Sequence, residues 1–124
     1  MSGDWQARVG ALGVEPVADG GLTLHEAVAF KARRKGLAKL DALPPDVGLH
    51  IHRCNAVHTF GMQFSLDLIW RDRQGAVVRV DRSVPPRRQK ICVRARTVVE
   101  VAAGGADRWV AALGDIGPPG SRAS

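Results

Sequence analysis

From residue 47 onward, apolar and polar residues alternate with a period of two, in short runs each closed by a turn signal. A period of two belongs to strands, whose successive side chains point to opposite faces, and no helix tolerates it. In residues 48–54, Leu49 and Ile51 share one face while His50, His52 and Cys54 share the other. In residues 65–71, Leu66, Leu68 and Trp70 lie opposite Asp67, Ile69 and Arg71. Asp72-Arg73-Gln74-Gly75 reads as a hairpin turn into a partner strand over residues 76–82, and Pro85-Pro86 ends that strand. Residues 91–95 and 97–102 are two further β-rich runs, followed by the turn Ala103-Gly104-Gly105.

The N-terminal third reads differently. Residues 5–17 predict one or two short strands, and Asp19-Gly20-Gly21 a turn. Thr23 and Glu26 have the spacing of a capping box, and Leu24, Ala27, Val28 and Ala32 recur at helical intervals, which predicts a helix from Thr23 to a stop at Gly36. Residues 106–113 suit a helical turn or a short strand. The expected fold is mainly β: a small β-sandwich or jelly-roll-like barrel with one short α-helix in its N-terminal half. The 124 residues suffice for one domain, over residues 1–116, with a flexible tail at 117–124.

Charge and composition narrow the function classes. The formal net charge of +6 favours anionic partners, and the basic residues are densest in residues 31–39 and 79–96. Nucleic-acid readers interleave stacking aromatics with their basic residues. Here aromatics make up only 5% and Tyr is absent, so another protein or a small ligand is the expected partner. No apolar run reaches the length of a membrane span, and the first residues lack a secretory pattern, so a cytoplasmic location and two free thiols, Cys54 and Cys92, are expected.

The densest group of chemistry-bearing residues is His50-x-His52-x-Cys54-x-x-x-His58. Imidazole and thiolate ligate zinc or another transition metal when three or four converge. Residues two apart on a strand spread by roughly 6.5–7 Å, so they converge only where the strand curves. Cys54 with His58 also has the composition of a nucleophile and its base, with Asp67 to orient the imidazole. The plainer alternative has His58-Thr59 bonding backbone in a tight turn while Cys54 and Met62 pack inside. Asp67, if inward, must accept backbone amides or pair with a cation such as Arg33. Glu100, between Val99 and Val101, is expected to face water.

Residues 54–70 also carry a resemblance. Cys54-Asn-Ala-Val-His58-Thr59-Phe60-Gly61-Met62 followed by Phe64-Ser-Leu-Asp67-Leu-Ile-Trp70 resembles the signature of the bacterial family "domain of unknown function 192". Arg33-Arg34-Lys35-Gly36-Leu37, Asp72 to Val78, Thr97-Val-Val-Glu100-Val-Ala-Ala-Gly104 and Gly114-Asp115 match further family segments in the same order. Ser65 and Ala102 stand where the family has Pro, and Arg87 where many members have Trp. The resemblance implies a compact β-sandwich with a short helix and no established reaction or cofactor. The leading expectation is a non-catalytic binding or accessory module that uses a surface around Cys54, His58, Thr59, Met62 and Asp67. The alternative is a metal- or thiol-dependent enzyme centred on His50, His52, Cys54 and His58.

Overall fold

A computed structural model describes residues 5–10, 12–28, 37 and 40–114. The fold is mainly β, in two sheets. The order is α1 (Trp5–Val9), β1 (Gly13–Glu15), β2 (Thr23–Ala27), β3 (Val47–His52), β4 (Ala56–His58), β5 (Leu66–Arg71), β6 (Val77–Val84), β7 (Gln89–Ile91), β8 (Thr97–Ala102) and α2 (Ala106–Leu113). Six strands form one sheet in the order β1-β2-β3-β8-β5-β6, and β4 and β7 form a two-stranded ribbon. All pairings are antiparallel except β2 with β3. Among the described residues the larger sheet is open, with edges at β1 and β6, and does not close into a barrel.

The alternation holds in the sheet over β3, as far as His52, and over β5, but both faces are covered. One face carries Ala27, Leu49, Ile51, Leu66, Leu68, Trp70 and Val98, which pack with Val57, Met62, Cys92 and Ala95 from the ribbon and its flanks. The other carries Leu24, Ile69, Val99 and Val101 beneath Trp109, Ala112 and Leu113 of α2. Gly48 is required here, because a Cβ would lie 2.8 Å from the Trp109 ring. The Trp109 indole N–H donates to the Pro45 carbonyl at 3.2 Å.

Two local expectations are corrected. Residues 5–9 form helix α1 instead of a strand, leaving only β1 extended. The helix expected from Thr23 does not begin there: Thr23–Ala27 is strand β2, held between β1 and β3. Ladder bonds from two neighbours outweigh a capping-box pattern worth about 1 kcal/mol. Glu26 consequently turns to the histidines of β3 and does not cap. The rest of that expected helix, with Arg33 and Gly36, lies outside the described residues, as does the tail at 117–124. Leu37 is buried in the core.

The turns follow the sequence more closely. Asp72 Oδ1 accepts the Gln74 and Ala76 amides at 2.9 and 3.0 Å, and Gly75 supplies the positive φ of the hairpin. Gly104, φ +95°, turns β8 into α2. Residues 106–113 are a full helix.

Candidate functional site

Strand register assembles a cluster that no local spacing encodes. In the parallel β2–β3 pair, Glu26 lies opposite His50. In the antiparallel β1–β2 pair, Glu15 lies opposite Leu24, on the same face as Glu26. His52 follows His50 by two residues and shares that face. The Glu26 carboxylate therefore takes both imidazoles: Oε2 sits 3.0 Å from His50 Nδ1, and Oε1 bonds His52 Nε2. Glu15 Oε1 approaches His50 Nδ1 at 3.5 Å. The two rings lie with centroids 4.3 Å apart. One ligand-type atom from each of Glu15, Glu26, His50 and His52 falls within 4.8 Å of every other.

Burial sharpens the electrostatics. Only 1% of His50 is exposed, and its Nε2 has no hydrogen-bond partner among the described residues. Burial alone would raise the Glu26 carboxyl. Hydrogen bonds with His50, His52 and Glu15 outweigh it and hold Glu26 well below the usual carboxylate range. Burial would likewise lower the His50 imidazole, but its bonds to Glu15 and Glu26 lift it above its ordinary value.

His50 and His52 of the cluster form one wall of an open pocket of about 380 Å³. Its floor is a row across three strands: His52 pairs with Thr97, and Thr97 with Arg71. Arg53, Arg73 and Arg96 complete the basic lining, with Val28, Asp72 and Gly75. Arg71 is 2% exposed and donates from Nε to the Gly75 carbonyl at 3.0 Å. Burial lowers its guanidinium, and Glu15, Glu26 and Asp72 pull it back up.

Of the residues singled out from sequence, His50 and His52 enter this site, while Cys54 and His58 are not in the cluster. Arg53 adopts a left-handed φ of 52° that ends β3, so the alternation that would have carried Cys54 onto the His50 face is broken one residue early. The Cys54 thiol donates to the Ala56 carbonyl at 3.2 Å. His58 is exposed on β4, with its ring 5.9 Å from Phe60. Thr59 is fully buried: its hydroxyl donates to the Pro85 carbonyl at 2.7 Å and accepts the Arg88 amide at 2.8 Å. Met62 is buried in the core. Cys54 and Cys92 are not bridged to each other, and the Cys92 amide donates to the Asn55 carbonyl at 2.8 Å.

Asp67 faces inward and accepts three backbone amides: Ser83 at 2.8 Å, and Gly104 and Ala106 at 3.0 Å each. The Ala106 amide is one that the first turn of α2 leaves open, so a strand carboxylate fixes where the helix begins. Glu100 does not face water. It sits on β8 between Leu49 and Leu68, on a covered face, and burial pushes its carboxyl up to about 7.

Glu15 and Glu26 escaped the sequence reading because each lies in a different strand from the histidines. The one available signal was negative: Glu26 in an alternating Thr-Leu-His-Glu-Ala run fits a strand as well as a helix start.

Among solved structures, a protein of unknown function from Novosphingobium aromaticivorans DSM 12444 shares the fold with a TM-score of 0.65 at 18% identity, over 91% of this chain and 93% of that one. A Sinorhizobium meliloti 1021 protein, named as a candidate transcription regulator, gives a TM-score of 0.62 at 23% identity, over 71% of this chain and 74% of that one. No curated protein matches the chain. The DUF192 family (Uncharacterized ACR) matches residues 16–116, a span that includes β2 to α2 with both histidines and Glu26 of the cluster, and the chain belongs to that family.

Proposed function

We propose that this protein is a binding domain whose site takes one divalent transition-metal ion, zinc foremost, through Glu15, Glu26, His50 and His52. The observation that carries the reading is the mutual approach of four ligand-type atoms within 4.8 Å. Zinc–nitrogen and zinc–oxygen distances of about 2.0–2.2 Å put tetrahedral ligands roughly 3.4 Å apart, so side-chain shifts of about an ångström complete the geometry. Two imidazoles and two carboxylates suit zinc, and the two carboxylates balance a divalent charge.

The test is metal content in untagged protein, beside H50A/H52A and E26Q. One zinc per chain, absent from both variants, supports the reading. The C54S/H58A variant should keep its zinc, which separates this ligand set from the one that runs through Cys54 and His58. Protein without zinc after reconstitution, or zinc that survives E26Q and H50A/H52A, overturns it.

A further inference from the structure

The pocket beside the cluster is lined by four arginines, Arg53, Arg71, Arg73 and Arg96, and by one acidic residue, Asp72. Asp72 Oδ1 accepts two amides of the hairpin turn, and the charge of Asp72 acts on the buried Arg71. Glu15 and Glu26, behind the histidine wall, bond the imidazoles. The side chains of Arg73 and Arg96 carry no ion pair among the described residues. The basic groups come from three places in the chain, the end of β3, the β5–β6 hairpin and the start of β8, so the fold converges them and no local run of charge does. A divalent ion at the cluster would balance the two glutamates, so they would not offset the charge of Arg73 and Arg96.

We propose that the pocket holds a small oxyanion, a phosphate or a carboxylate, gripped by Arg73 and Arg96 over the Thr97 floor and set beside the metal position. Guanidinium forks match both oxyanions in two-point geometry. A volume of about 380 Å³ admits a small molecule. The proposal places its ligand next to the ion of the preceding section and so builds on that reading, but its gripping side chains are different ones.

The experiment is calorimetric titration with inorganic phosphate and, separately, malonate, on zinc-loaded and on chelated protein, with zinc content measured on every sample. Binding of either anion, weakened at least about tenfold by R73A and by R96A, but unchanged by R87A/R88A on the β6–β7 turn, supports the proposal. The anion that binds more tightly assigns the class. No binding of either in the millimolar range overturns it. So does equal weakening by R87A/R88A, which would mean diffuse surface charge. Binding that needs zinc and ignores both Arg73 and Arg96 also overturns it, since the anion would then sit on the metal alone. Arginine-dependent binding to protein that takes no zinc upholds the oxyanion site and removes the metal reading.

Discussion

Two carboxyl groups in this domain show how position decides what an acid does. Asp67 is buried but saturated with three backbone amides, from the β6 end, the Gly104 turn and the first residue of α2. D67A would leave those donors without a partner, and a loss of about 3 kcal/mol or more is expected from urea denaturation. D67N should recover only part of it, because an amide presents one acceptor oxygen where the carboxylate presents two. Glu100 is buried with apolar neighbours, and its carboxyl is pushed up to about 7 by burial. A folded value above the unfolded one favours the neutral acid in the native state. Its stabilising contribution is full below the unfolded value of 4.5 and is lost as pH rises through about 7. The wild type should therefore lose on the order of 3 kcal/mol relative to E100Q between pH 5 and pH 8. Denaturation curves of the two proteins at both values check this, and parallel pH profiles would rule it out.

At the scale of elements, the central strands were readable from sequence because their alternation is local. The bounds of β8, the hairpin at Asp72 and the break at Pro85 all follow from residues within a few positions of one another. Strand β2 was not readable, because what makes Thr23–Ala27 extended is its pairing with Val47–Ile51, more than twenty residues away, and with β1. Alternation also misled at Glu100: it places a side chain on a face but does not say whether that face is wet, and here it is buried. Helix α2 depends on another non-local fit, Trp109 seated on the bare backbone of Gly48. G48A should cost about 1–3 kcal/mol by forcing that ring outward, with loss of near-UV ellipticity from Trp109. If G48A keeps both its stability and its near-UV signal, α2 is not held by this seat.

Across the whole molecule, half of the candidate site was legible and half was not, for the same reason. His50 and His52 share a strand, so period two put them together. Glu15 and Glu26 arrive from two other strands whose register a single sequence does not state. An ion bound only by the native state stabilises the entire fold by mass action, about 2.7 kcal/mol at a hundredfold excess over its Kd. Zinc should therefore raise Tm by roughly 10 °C, reversibly on chelation, and leave E26Q unmoved. Strand β1 makes this coupling uneven. It is three residues long, lies at the sheet edge, and among the described residues pairs only with β2, yet it supplies Glu15. A segment so lightly held opens far more often than the strands behind it. An ion at this position would work as a clasp, pinning the outermost strand to the body of the protein. Hydrogen exchange at β1 would then slow on zinc addition by a larger factor than anywhere else in the chain, and that factor would measure how firmly the clasp closes.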